Sequence, residues 1–363
     1  MIVANLVRRP VRSLISVVAI ALEVTLILLI VGLFIGLLND SRSRQAGIGA
    51  DVVVMPPGSS FIVGLTGSPM SIKVGDVLAK LPHVAVVAPV VQNVSTTGTI
   101  EVIAGIDTRT YQQLSGPFQY LEGGPMQNPN DCLVDEIFAK PNHLNAGSTI
   151  QILNSPFHVS GIIAPGKGAR KFLQISVMQD LVGAQGKATL FYLKADDPAN
   201  ADAIVREIKQ VPGMEKYVAT SMAYYLSMMT TSNYPGLSKA IDAVIAISMI
   251  IGFMVIFQAM YTAVMERTRE IGILKSMGAS KMYIINVILR ETILLAVVGI
   301  VVGVLFSLAA RAGIDQKSTL RVIVTGEWIL KATGIAIVGA ILGALYPAVK
   351  AARKDPIEAL AYE

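Results

Sequence analysis

Residues 13–38 read SLISVVAIALEVTLILLIVGLFIGLL, an apolar run broken by one charged side chain, Glu23. That is more than the ~20 residues a helix needs to cross a hydrocarbon core of ~30 Å. Three further runs meet the same requirement: 240–265, 282–310 with Arg290 and Glu291 near its start, and 328–349. In lipid such runs take the helical form, because every backbone polar group must be satisfied within the segment. The first run follows basic residues but is far longer than a signal-peptide core of ~7–15 residues. No small-residue cleavage site follows it, so it is read as a retained helix.

The sides of the membrane follow from Lys and Arg in the short segments. Arg8, Arg9 and Arg12 precede the first span; Arg267, Arg269, Lys275 and Lys281 lie between the second and third; Lys350, Arg353 and Lys354 follow the fourth. These three segments are assigned to the cytoplasm. Arg311, Lys317 and Arg321, in the remaining short segment, are outnumbered. The chain therefore divides into a cytoplasmic tail 1–12, span 13–38, an extracytoplasmic domain 39–239, span 240–265, a cytoplasmic loop 266–281, span 282–310, an extracytoplasmic loop 311–327, span 328–349 and a cytoplasmic tail 350–363.

The 363 residues are 53% hydrophobic and 15% charged, against about 25% charged in soluble domains. The deficit is confined to the four runs. The net charge of +5 sits at helix ends and not in a patch interleaved with aromatics, which argues against nucleic acid as a partner. A single cysteine, Cys132, leaves no intrachain disulfide and reads as a small buried residue.

Residues 39–239 read as an α+β domain. Short β-rich runs recur at 50–55, 85–91, 99–103, 149–153, 157–163 and 189–194, and turn signals such as Met55-Pro56-Pro57-Gly58 separate them. Helices are expected near 74–80 and 199–210, the second started by Asp196-Asp197-Pro198. Just before the second span, Tyr224, Tyr225, Met228 and Met229 offer either an interfacial belt or a soft surface for a hydrophobic substrate or partner.

The loop 266–281 reads Glu266-Arg267-Thr268-Arg269-Glu270-Ile271-Gly272-Ile273-Leu274-Lys275-Ser276-Met277-Gly278-Ala279-Ser280-Lys281. A dense charge cluster is followed by Ile271, Leu274 and Met277 at helical spacing, and Gly278 is a natural terminator. Such a short amphipathic helix either lies on lipid or docks into a groove of a partner.

This loop closely resembles the signature loop of the FtsX/MacB-type ABC permeases (LolCDE-like, or type VII). The endings Tyr346-Pro347-Ala348 and Ala351-Ala352-Arg353-Lys354-Asp355-Pro356-Ile357-Glu358-Ala359-Leu360, and the start Asn5-Leu6-Val7-Arg8-Arg9-Pro10, are similar to the same family. So are Val102-Ile103-Ala104-Gly105-Ile106-Asp107 and Phe157-His158-Val159-Ser160-Gly161-Ile162 in the middle domain. The resemblance implies a bacterial cytoplasmic (inner) membrane protein with both termini cytoplasmic. It implies that Glu266, Arg267, Arg269, Glu270, Ile271, Leu274, Lys275, Met277 and Gly278 form a coupling helix. That helix would fit a nucleotide-binding ATPase subunit, present in two copies and carrying the ATP and Mg. A second permease subunit, identical or not, would complete the membrane part, with Gly32, Gly36, Ser248 and Gly252 as candidates for the seam. A periplasmic adaptor and membrane lipid are further candidate partners.

No G-x-x-x-x-G-K-[ST] loop, H-E-x-x-H or G-x-S-x-G occurs, and His83, His143 and His158 are scattered. The chain is therefore not expected to be an enzyme by itself, nor to hold a metal or cofactor. Small residues four apart, such as Gly299/Gly303 and Gly339/Gly343, let helices approach closely, within one subunit or between two. Glu23 near mid-span needs a neutral form, a partner or a cavity, and with Tyr224, Tyr225, Met228 and Met229 it is a candidate substrate contact. Two functions fit: export or extraction of a hydrophobic or amphipathic substrate (lipid, lipoprotein, antibiotic, peptide or haem), or non-transporting mechanotransmission that activates an extracytoplasmic partner such as a cell-wall hydrolase.

Overall fold

In a computed structural model, residues 10–59, 68–95 and 101–354 are described. Residues 1–9 and 355–363 of the expected tails, and 99–100 of the strand expected at 99–103, lie outside them. The described residues begin with α1 (Pro10–Ala46), β1 (Val52–Met55), β2 (Met70–Ser71), α2 (Val74–Leu78), β3 (Val84–Ser95), β4 (Glu101–Ile106) and α3 (Thr108–Ser115). Next come β5 (Tyr120–Gly123), β6 (Asp131–Asp135), α4 (Glu136–Ala139), β7 (Thr149–Ile152), β8 (Ser155–Ile163), β9 (Lys171–Gln174) and α5 (Ile175–Leu181). β10 (Lys187–Ala188), β11 (Leu190–Ala195), a 3₁₀ turn (Pro198–Asn200), α6 (Ala201–Gln210), β12 (Val218–Ser221) and α7 (Met222–Met228) complete the middle region. The last helices are α8 (Pro235–Glu266), α9 (Thr268–Ser276), α10 (Lys281–Lys317) and α11 (Gly326–Arg353).

Four helices, α1, α8, α10 and α11, are long and apolar enough to cross a membrane. They outrun the apolar stretches of the sequence. α1 continues past residue 38 to Ala46, and α10 past 310 to Lys317. At 37 residues α1 is roughly 55 Å long, well beyond a ~30 Å core. Hydropathy marks the part of a helix that lipid tolerates; backbone hydrogen bonding continues into polar sequence wherever the side chains find partners.

Two compact units are present. The helical unit comprises the residues up to Gly36, Gly236–Asp315 and those from Leu320 onward. Its core joins Ile20, Val24, Ile27 and Leu28 of α1 to Ile256 and Met260 of α8, Leu295 and Ile300 of α10, and an alanine stripe on α11 (Ala332, Ala336, Ala340, Ala344). The glycine pairs are contact points between helices. Gly299 and Gly303 receive Ile20 and Val24, and Gly343 receives Ile256. Thr25 Oγ1 donates to the Gly303 carbonyl at 3.1 Å. Missing side chains thus let backbones approach closely, which is how helices associate where water supplies no hydrophobic drive.

The α/β unit comprises Leu37–Pro235 and Gln316–Thr319. Its ten-stranded sheet has the order β12-β1-β11-β3-β4-β9-β6-β8-β5, with β7 added on β8. Neighbours are antiparallel except β4 with β9 and β6 with β8. β1 shows how the sheet buries both faces. Val53 and Met55 enter one core with Tyr111, Phe172 and Tyr192, while Val52 and Val54 enter another with Phe191, Ile204 and Ile208. Period-2 alternation therefore feeds two apolar layers. β7 and β8 turn through Leu153 and Asn154, both with positive φ (48° and 64°), the geometry of a two-residue hairpin. The expected helix start at Asp197 is present, its carboxylate accepting from Ala199 N at 2.9 Å. Strands at β5, β6, β9 and β12 were not signalled by the sequence. β6 is buried at every position, so it lacks the alternation that identifies a half-exposed strand.

Candidate functional site

α8 ends at Glu266, Arg267 leaves helical geometry, and α9 starts at Thr268. Thr268 Oγ1 bonds back to the Met265 and Val264 carbonyls (2.8 and 3.2 Å). At the other end Gly278 has φ +92°. Ala279 N donates to Leu274 O at 3.0 Å and Gly278 N to Lys275 O at 3.0 Å, which is the Schellman pair of bonds. Ser280 then caps α10 by accepting from Tyr283 N at 3.2 Å. Local sequence thus ties Thr268 back to the end of α8 and closes α9 at its C-terminus.

Two cations tie α9 and its flanks to the rest of the helical unit. Arg267 donates to both oxygens of Glu291 on α10, at 3.2 and 2.9 Å, and Glu291 is buried. Lys275 donates to the carbonyls of Ala352, at 3.1 Å, and of Lys354. It places its charge on the end of α11 where unsatisfied carbonyls collect. Ile271 and Leu274 turn inward and line, with Met260, Val264 and Ile284, a cavity of about 70 Å³.

The outward ridge differs from the one expected. Helical spacing puts Ile271, Leu274 and Met277 on one apolar face, but only Met277 of the three is exposed (72%), while Ile273 is 44% exposed. Arg269, Glu270, Ile273, Ser276 and Met277 form the free surface. Arg267 and Lys275 face inward as fasteners. Ile273 was missed by sequence reasoning, although its spacing of four from both Arg269 and Met277 places all three on one side of a helix.

A second constellation lies in the α/β unit. Arg170 is 8% exposed and donates to Asp135 Oδ2 (3.2 Å), Asp40 Oδ2 (2.9 Å) and the Thr319 carbonyl (3.2 Å). Asp135 also caps α4 by accepting from Phe138 N at 2.8 Å, and Asp40 pairs with Arg44 one turn along α1. Beside it, the Gly166-Lys167-Gly168 turn is packed. Lys167 Nζ donates to Ser115 O at 2.5 Å, and Tyr111 Oη donates to Lys167 O at 2.7 Å. These partners are far apart in sequence, so no spacing signals them.

The remaining candidates are placed as follows. Gly32 and Gly36 face the backbone of Arg321–Ile323 within the same chain, and Ile323 N donates to Gly32 O at 2.9 Å. Ser248 is buried, and Gly252 faces Glu23. Glu23 belongs to the helical unit. Tyr224, Tyr225, Met228 and Met229 belong to the α/β unit, where Met229 is buried, Tyr225 packs on the core and Tyr224 is exposed.

The chain matches the MacB-like periplasmic core domain family over residues 13–211 and the FtsX-like permease C-terminal family over 243–356. It is 31% identical over 60% of its length to the pyoverdine export ATP-binding/permease protein PvdT of Pseudomonas syringae pv. tomato. It is 27% identical over 67% of its length to the ABC transporter permease YknZ of Bacillus subtilis. It is 26% identical over its whole length to the macrolide export ATP-binding/permease protein MacB of Mannheimia succiniciproducens. The chain covers 35%, 63% and 60% of these relatives, less than two thirds of each.

Proposed function

Since the chain belongs to the FtsX/MacB-type permeases of ABC transporters, and is a multi-pass membrane protein, we propose that α9 is its coupling helix. ATP hydrolysed with Mg on a nucleotide-binding partner moves this helix, and the movement passes through the spans to an extracytoplasmic α/β unit. The observation that carries the proposal is the construction of α9. Its C-terminus is closed by Gly278 and two cations bolt the loop to α10 and α11, while a mixed ridge of Arg269, Glu270, Ile273 and Met277 stays free. A helix fastened on one side and open on the other transmits force instead of folding away from it.

In this reading two ATPase copies serve a pair of permease subunits, homo- or heteromeric, in the bacterial cytoplasmic membrane with both termini cytoplasmic. The substrate is hydrophobic or amphipathic: a lipid, lipoprotein, antibiotic, peptide or haem. It is handled with a periplasmic adaptor or at the lipid surface. The export roles named for PvdT and MacB favour transport over the alternative, activation of an extracytoplasmic enzyme by mechanical signalling.

The test is purification of the chain from its native membrane after crosslinking at Met277→Cys. Recovery of an ATPase at that position supports the reading, and Glu270→Lys should then keep basal ATP hydrolysis while lowering substrate-stimulated hydrolysis at least several-fold. Normal stimulation in Glu270→Lys would remove α9 from the coupling path. Stimulation by a protein partner and by no small molecule would select the signalling alternative.

A further inference from the structure

Glu23 lies mid-way along the apolar part of α1 and is 3% exposed. Neither of its carboxyl oxygens has a hydrogen-bond partner among the described residues. Its slot is built from absent side chains. A Cβ on Gly252 of α8 would collide with Oε2, and one on Gly339 of α11 would lie 3.9 Å from Oε1. The surrounding helices bring no charge to it. α8 has no charged residue between Asp242 and Glu266, α11 none between Lys331 and Lys350, and α10 none between Glu291 and Arg311. On α1 itself the neighbouring charges are Arg12 and Asp40. On α11 the nearest charge, Lys331, is eight residues from Gly339, and on α10 Glu291 and Arg311 are eight residues from the contact glycines Gly299 and Gly303, each roughly 12 Å along the axis.

An ionised carboxylate without a partner is heavily penalised in such a place, whereas the neutral acid gives up little more than its hydrogen bonds. The packed arrangement therefore holds Glu23 as the acid. If α8 and α11 draw away and water enters, the O–H bond breaks, the proton passes to water and the carboxylate remains. We propose that Glu23 is a proton-binding site of the helical unit, occupied when α1, α8 and α11 are packed and vacated when they part. Packing is then linked to pH with a fixed sign. The packed form binds more protons, so it is favoured as pH falls and weakened as pH rises. The proposal rests on the membrane reading for its setting, but it requires neither ATP nor a partner.

The experiment is infrared difference spectroscopy of the full chain in lipid nanodiscs, wild type against Glu23→Gln, across a pH series. The expected result is a protonated-acid carbonyl band at neutral pH that the variant loses entirely. Thermal stability of the wild type should fall as that band disappears on raising the pH, and the variant should show no such fall. Absence of the acid band at neutral pH, or the same pH dependence in both proteins, would overturn the proposal. If Glu23→Gln does not fold, titration of the band in wild type and Glu23→Asp decides the matter. Failure to recover an ATPase would leave this result untouched, and an ionised Glu23 would leave the permease reading untouched.

Discussion

Arg170 shows what one side chain can hold. Its guanidinium spreads over Asp135, Asp40 and a backbone carbonyl, the fork geometry that Lys cannot supply. Removing it leaves the buried Asp135 without its ion-pair partner, while Asp40 keeps Arg44, and breaking a buried pair from one side costs about 3–5 kcal/mol. Arg170→Met should therefore lower the stability of the α/β unit by that order, read as faster limited proteolysis of residues 37–235 in the intact chain. Asp135→Asn combined with Arg170→Met should cost less than the sum of the single changes, since the two groups share one network. An exposed pair behaves differently. His83 Nδ1 lies 2.9 Å from Asp196 Oδ2, and Asn200 Nδ2 lies 2.9 Å from Asp196 Oδ1. The Asn200 amide and then His83 hold the Asp196 carboxyl down to about 2, and the bond to Asp196 pushes the His83 imidazole above its ordinary value. The His83 contribution is complete below the ordinary imidazole value and is lost as pH rises through the raised one. The Asp196 contribution is complete above the ordinary carboxylate value and is lost as pH falls through about 2. The clasp is thus strongest between about pH 4 and 6.5. His83→Gln should lower the melting temperature slightly at about pH 5.5 and leave it unchanged in mildly alkaline buffer.

At the scale of an element, α9 depends on where it stops. Gly278 has φ +92° and nothing within 4 Å of a Cβ position, so a substitution there meets backbone strain and no steric clash. Gly278→Ala should cost about 1 kcal/mol, fraying the last turn that carries Met277. Gly278→Asn should be better tolerated, because Asn enters the left-handed region more readily. The ratio of stimulated to basal ATPase activity should rank wild type, Asn and Ala in that order, and equal ratios would separate the cap from coupling. Helix, terminator and charge cluster were all legible in the loop sequence. Which apolar residues face out was not. Nine residues make only two and a half turns, and the inward side is chosen by where Arg267 and Lys275 find Glu291 and the end of α11.

At the scale of the whole molecule, the sequence and the structure divide the work. Gly36 on α1 lies so close to the Arg321 carbonyl that any Cβ would strike it. Gly334 on α11 has open space around it. Gly36→Val should destabilise the helical unit by at least the 1–3 kcal/mol of an overpacked core, with loss of the Ile323–Gly32 bond. Gly334→Ala should instead stabilise its helix by about 0.5–1 kcal/mol. Detergent-resistant folding at graded temperature measures both. The four spans, the inserted α/β unit and the loop that carries α9 were determined by sequence alone, because hydropathy over twenty residues and helical spacing over nine are local properties that no distant contact reverses. The Arg170 cluster, the glycine-lined slot around Glu23 and the approach of residues 321–323 to Gly32 and Gly36 were decided by tertiary structure. Each joins residues more than thirty positions apart, and the energy of a buried charge depends on what the folded chain brings beside it.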